Sequence, residues 1–359
     1  MNPIIQALEN LLGLIGIDQG VRPIGAFVLI LAIVGGLLGL GFWVAVRRRW
    51  VRPATAAFWL FVSPWVFGFL LFTLGPMVYS LGLSFFHWDL ISPARWAGIS
   101  NYQKAASDPL LGQAIKVTLT FAVVSVPLQT VLSLAVALLM NINVRGIHVF
   151  RTIWYLPSLV QGVAATILFL WVFNPSYGLV NGLLGAIGIQ GPSWFGDPDW
   201  ALPAVIIMSL WTVGGNMIIY LAGLQDVPTE LYEAARLDGA GRIREIWSIT
   251  IPQISPVIFF NVVTGMIAAM QIFTQAYLVP SSTGSANGGG PGNSLLFLVY
   301  YLYQNAFRMF QMGYASALAW ILLVMILVLT ALMFRGSAFW VYYESARPAK
   351  ERRRASRVR

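Results

Sequence analysis

The chain has 359 residues, 58% of them hydrophobic and only 10% charged, with a mean hydropathy of +0.75. That balance and several long apolar runs exclude an ordinary soluble domain and indicate an integral membrane protein, best counted in spans of about 20 residues each. The absence of cysteine removes disulfides, thiolate nucleophiles and cysteine-ligated metals. The net charge of +9 does not point to nucleic acid. Most of the excess sits in RRRWVR at 47–52 and RPAKERRRASRVR at 347–359, and juxtamembrane clusters of this kind set topology and touch anionic lipid headgroups.

At the start of the chain, Ile4, Ile5, Leu8, Leu11, Leu12 and Ile15 recur at helical spacing and predict a short helix lying at the outer interface. The run near 25–46 reads as an uncleaved helix rather than a signal peptide, because it is longer than a typical h-region and only Arg22 precedes it as a basic residue. Gly35 and Gly39 within it have the GxxxG spacing that lets helices approach, although a Gly-rich span offers that spacing by chance as well. Further spans are predicted near 57–83, 114–140, 153–173, 201–224, 254–279 and 313–334, which makes seven. With 47–52 in the cytoplasm, the inner segments hold four basic residues there, two at 145–151, three at 236–244 and eight from 335 onward, against five outside. The positive-inside rule thus predicts an external N-terminus and a cytoplasmic C-terminus. No internal repeat is apparent, and SSTGSANGGGPGN at 281–293 reads as a flexible external turn.

Segment 225–252 is the exception in an apolar chain: it carries Asp226, Glu230, Glu233, Arg236, Asp238, Arg242, Arg244 and Glu245. Each would cost about 2.5–3.5 kcal/mol at a bilayer centre, so the segment belongs in water. Pro228 suits a helix start, Glu230 complements the dipole in the first turn, and Gly239 supplies the positive φ of a helix end. A second short helix is expected from about Gly241 to Pro252. The product is a helix–turn–helix whose Leu231, Ala234, Ala235 and Leu237 form small and apolar contact surface. On composition alone, a charged helical loop is also what any solvated connection would show.

The order of residues says more. Glu233-Ala234-Ala235, three residues, Gly239, nine residues, Ile249, one residue, Ile251 and Pro252 together resemble the EAA loop of permease subunits of binding-protein-dependent ABC importers. Asp238 and Ala240 match the Asp-Gly-Ala form of the sugar-importer branch, while Ile246 and Ile251 stand where Phe and Leu are common. RWAGISNYQKA at 95–105 and GGGPGNSLLFLVYYLYQNAFRMFQMGYASALAW at 288–320 resemble the same branch, so the likeness covers roughly 57–335.

The resemblance implies an all-α integral membrane fold, the type I ABC importer transmembrane domain, with six core helices plus one extra N-terminal helix. It divides the chain into 1–52, with the interfacial segment and extra helix; the permease core at 53–335; and a basic cytoplasmic tail at 336–359. It implies that Glu233, Ala234, Ala235, Asp238, Gly239 and Ala240 form the coupling helix facing a separate ATP-binding cassette ATPase dimer, with Pro252 starting the next span. The implied partners are that ATPase, a second homologous permease and an extracytoplasmic solute-binding protein, in a bacterial or archaeal inner membrane. The implied cargo is a sugar, an oligosaccharide or a related polyol-derived solute.

No catalytic constellation is apparent. His87 and His148 fall on opposite predicted faces and cannot share a metal, and no GxxxxGK[ST] loop occurs, so ATP hydrolysis is assigned to the partner. For a translocation path, Asn216 after Gly214-Gly215, and Gln271 with Gln275 one turn apart, are the polar candidates within spans; the other reading of each is an interhelical hydrogen bond. Gln129 beside Pro127 and Gln161 near Pro157 read as kink partners. The alternative of an ion-gradient-driven transporter is weakened by the near absence of carboxylates in the spans.

Overall fold

A computed structural model describes Arg47 and residues 52–160, 162–282 and 288–342. The predicted interfacial helix, the 25–46 helix with its GxxxG pair, Gln161 and the basic tail from 343 lie outside the described residues. The chain divides into two compact units, Met1–Gly82 and Leu83–Arg359. In the first, α1 (Pro53–Phe69) continues through a widened turn at Leu70–Leu74 into α2 (Gly75–Leu83). The Gly75 amide there bonds back to Leu70 O, just before Pro76, which brings no N–H of its own. This is the apolar span Ala57–Leu83.

The second unit opens with a minimal antiparallel ribbon, β1 (Phe86–His87) against β2 (Arg95–Trp96), and α3 (Ser100–Ser107). Its longest helix is α4 (Pro109–Met140), capped by Asp108, whose carboxylate accepts from the amides of Leu110 and Leu111. Then come α5 (Ile147–Tyr155) with a 3₁₀ turn at Leu156–Leu159, α6 (Gly162–Val172), α7 (Leu179–Ala186), α8 (Pro198–Ser209) and α9 (Val213–Gln225). After α10 (Thr229–Leu237), α11 (Arg242–Glu245) runs through a π-type turn at Ile246–Thr250 into α12 (Ile251–Met270). The chain ends with α13 (Thr274–Ser282), α14 (Leu298–Tyr303) and α15 (Met312–Ser337).

Helix α4 is the axis of this unit, with α9 and α12 packed along it. In lipid the hydrophobic effect does not drive helices together, so small residues and interhelical hydrogen bonds do that work. Ala114, Ala122, Ala137, Ala201, Ala204 and Ala317 are fully buried. Ser133 donates to Val213 O at 2.9 Å, and the Gln129 amide to Ser209 Oγ at 3.0 Å. At Gly214 the approach is very close, since a Cβ there would lie 1.8 Å from Trp154 O. A larger apolar cluster gathers Phe121, Val205, Met270, Phe297 and Leu318, and a second gathers Met217, Tyr220, Leu224 and Ile254 beside the charged loop.

The span pattern departs from expectation at several places. Among the described residues there are five helices able to cross a membrane, or six if the bent pair Ile147–Leu159 and Gly162–Val172 is one span. The expected straight span at 153–173 is therefore two helices whose axes differ by 96°, parted between Leu159 and Gly162, directly after the 3₁₀ turn that holds Pro157. The expected span at 254–279 begins earlier, at Arg242, and its helix stops at Met270. Gln271 leaves helical geometry at φ −109°, ψ 16°, and α13 packs on α6 instead of extending α12. The helix thus ends at the polar Gln271, within a stretch that hydropathy alone reads as one span.

The second short helix expected at 241–252 is likewise not a separate element. Its residues are the first turns of the Arg242–Met270 span. Pro252 does not start a new helix, because the Ile251 amide reaches back to Ile246 O and carries the helix past the position where the proline lacks a donor.

Candidate functional site

The charged loop folds around two contacts. Tyr232 on α10 shares a 3.0 Å hydrogen bond with Thr250, and Arg236 Nε donates to Glu245 Oε1 at 2.9 Å. The Glu245 carboxylate, hydrogen-bonded to Arg236, raises that guanidinium's pKa. Helix α10 ends in a Schellman arrangement: the Gly239 amide bonds to Arg236 O, the Ala240 amide bonds to Ala235 O, and Gly239 takes φ +77°. One side of α10 is thus fastened to the start of the next span. The other side presents Glu233, Ala234 and Asp238 to solvent, with Leu237 90% exposed, while Ala235, Ala240 and Pro252 are half-buried. Glu230 lies in the first turn and Pro228 directly precedes it.

A cleft of about 560 Å³ lies between α4, α6, the α8–α9 junction, α12 and α13. Its polar lining is Gln129, Thr166, Ser209, Thr212, Asn216, Thr264 and Gln275, with Trp211 at the edge and no charged side chain. The 3₁₀ turn Leu210–Thr212 between α8 and α9 places Asn216 in the first turn of α9, half-buried and facing this space. Gln275 reaches it from α13. Gln271 does not share a helix face with Gln275, because it is the residue that ends α12, and it is absent from the cleft lining. Gln129, read from sequence as a kink partner, both bonds to Ser209 and lines the cleft. The hydroxyl residues Thr166, Ser209, Thr212 and Thr264 were not legible as a set, since they come from three stretches, α6, the α8–α9 junction and α12, that only the packing brings together. Trp211 is held edge-to-face by Phe169, centroids 5.6 Å apart. Such a lining offers neutral hydrogen-bond donors and acceptors beside an aromatic ring.

A third polar knot lies at the start of α4. Tyr301 and Tyr314 both donate to Asp108 Oδ2, at 2.6 and 2.5 Å, and Lys104 lies 4.1 Å from the centre of the Tyr314 ring. Burial pushes the Asp108 carboxyl up, but the hydrogen bonds from Tyr301, Tyr314, Leu110 and Leu111 outweigh it and hold the group below its ordinary range. This knot is structural: it ties the cap of α4 to α14 and α15. Among the described residues no group of three or more metal-ligating side chains occurs.

Comparison with known proteins agrees with this architecture. Residues 129–337 match the family described as binding-protein-dependent transport system inner membrane component. The chain is 40% identical over 302 residues to the probable ABC transporter permease protein YesP of Bacillus subtilis, covering 83% of this chain and 96% of that protein. It is 37% identical over 281 residues to the lactose transport system permease protein LacF of Rhizobium radiobacter, covering 77% and 92%. A chain in the crystal structure of a bacterial alginate ABC transporter, in complex with alginate pentasaccharide-bound periplasmic protein, matches with a TM-score of 0.69 at 25% identity, over 82% of this chain and 96% of that one. These matches set aside the gradient-driven alternative. By fold, by matched length and by identity, the chain belongs to the family of binding-protein-dependent inner membrane components, and is a membrane-embedded ABC transporter permease rather than an enzyme.

Proposed function

We propose that the chain is the translocating subunit of an importer for a neutral sugar, oligosaccharide or related polyol. The observation that carries this is the uncharged cleft, where Asn216, Gln275 and four hydroxyl side chains meet beside Trp211. Hydroxyl-rich solutes exchange water for such partners without the cost of placing an ionised group in the membrane. The named sugar cargoes of similar proteins, lactose among them, accord with this reading.

The mechanism follows from the fastened loop. A separate ATP-binding cassette dimer engages the exposed side of α10, with Glu233, Ala234 and Ala235 at the contact and Asp238, Gly239 and Ala240 shaping the turn. Closure of the ATPase on ATP moves α10. Because Tyr232–Thr250 and Arg236–Glu245 join α10 to the Arg242–Met270 helix, that movement tilts a span which also walls the cleft through Thr264 and Gly265. A second homologous permease completes the pathway, and an extracytoplasmic solute-binding protein delivers the solute, as the alginate-bound periplasmic protein accompanies its own transporter. In this arrangement 53–335 is the permease core, preceded by an extra helix, with the N-terminus outside and the C-terminus in the cytoplasm.

The test is co-purification in mild detergent with candidate ATPase subunits, comparing the native chain with Glu233→Arg and Gly239→Val. Capture of an ATPase by the native chain, with release by variants that remain folded, is the expected result. Binding that ignores both substitutions would remove the loop from the coupling role.

A further inference from the structure

The outward face of the span that follows the charged loop has no assigned task. Ile243 and Trp247, one turn apart, are 76% and 69% exposed, and with Arg242, Arg244 and Ser248 they line one shallow cleft. Both guanidinium groups are exposed, and neither makes a hydrogen bond or ion pair among the described residues. The one carboxylate in the same turn, Glu245, is buried and engaged by Arg236.

Length places this face in depth. The helix Arg242–Met270 has 29 residues, about 43 Å at a rise of 1.5 Å per residue, whereas a hydrocarbon core is about 30 Å thick. Roughly the first two turns therefore lie in the headgroup layer when Met270 reaches the far boundary, and α13 beyond it supplies more apolar length on that side. A tryptophan at this depth, beside two unpaired cations, has the composition of an interfacial anchor. Arginine forks match the geometry of phosphate oxygens, and the indole and isoleucine beside them accept the glycerol backbone and first acyl carbons.

We infer that Arg242 and Arg244, with Ile243 and Trp247, form a binding site for the phosphodiester headgroup of an anionic phospholipid, which holds the exit of this span at the bilayer surface. The lipid serves as a fixed pivot for the coupling loop immediately before it. This goes beyond the transport reading and stands independently of which solute is carried.

The full chain reconstituted in equimolar phosphatidylcholine and phosphatidylglycerol, with a trace of photoactivatable phosphatidylglycerol, tests the site by locating adducts in digested peptides. Adducts on 242–248, displaced by excess phosphatidylglycerol but by neither phosphatidylcholine nor inorganic phosphate, are expected. Arg242→Gln with Arg244→Gln should weaken that labelling about thirtyfold, the effect of removing two cations from a charged surface, and the paired lysine substitutions should retain most of it. Labelling indifferent to charge, displacement by inorganic phosphate, or loss of all labelling when an ATPase subunit is bound would overturn the assignment; the last result would give the face to a protein partner.

Discussion

The Tyr301 hydroxyl donates a 2.6 Å hydrogen bond to Asp108 Oδ2 across 193 positions of sequence, and Tyr314 donates to the same oxygen. One carboxylate thus both caps the longest helix through its other oxygen and fastens two later helices to it.

Asp108→Ala is expected to be among the most destabilising substitutions outside the apolar core. Loss of the cap costs about 1 kcal/mol, and each buried hydroxyl left without its acceptor costs about 1–3 kcal/mol. Asp108→Asn retains a capping oxygen and should cost less. Thermal unfolding in detergent checks the order; equal behaviour of the two variants would remove the carboxylate from this role.

The same knot has a pH signature at both ends. The native carboxyl titrates below its ordinary range, so its contribution is complete above the unfolded value of about 3.9 and is lost as pH falls through the native one. Burial and the bond to Asp108 push the Tyr301 phenol up to about 12. Its contribution is complete below the unfolded value of about 10 and disappears as pH rises through the native value. Tyr301→Phe should therefore flatten the alkaline decline of stability between those limits, measured as melting temperature against pH.

Gly214 and Gly215 are neighbours with opposite tolerance. A methyl at Gly214 would overlap the backbone carbonyl of Trp154 at 1.8 Å, whereas at Gly215 it would meet Ser158 Cβ at an ordinary 3.6 Å. Gly214→Ala should separate α9 from the 154–155 segment and abolish recovery of folded protein, and Gly215→Ala should be recovered at normal yield. Size-exclusion profiles of the two variants decide it.

In the cleft, Asn216→Ala and Gln275→Ala are each expected to raise the KM for solute uptake by roughly tenfold, the loss of about one good hydrogen bond in a dry site. Gln271→Ala, outside the cleft lining, should leave KM unchanged. Uptake into proteoliposomes holding the assembled importer measures all three, and a comparable rise for Gln271 would relocate the path.

Arg236→Ala leaves the Glu245 carboxylate buried without its cation. Hydrogen exchange over 229–245 should quicken, and less so in Glu245→Gln, which keeps an oxygen acceptor for Arg236. Unchanged exchange in both variants would mean that the pair does not brace the loop.

The sequence by itself determined the chemistry of the solvent: an apolar excess that places the chain in a bilayer, a charged segment that must leave it, and a Glu-Ala-Ala and glycine order that names the family. The left-handed glycine at 239 and the start of α10 after Pro228 were legible because caps and turns are local, decided within a few residues. What only the tertiary structure decided depends on partners far away in the chain. The termination of α12 at Met270, inside a stretch that reads as one span to 279, goes with α13 packing against α6. Asn216 and Gln275 meet at one cleft while Gln271 is excluded from it, although hydropathy treats all three alike. In a membrane nearly every residue of a span is apolar or small, so periodicity is too faint to say which face looks inward, and interhelical contacts such as Ser133 to Val213 settle the question instead.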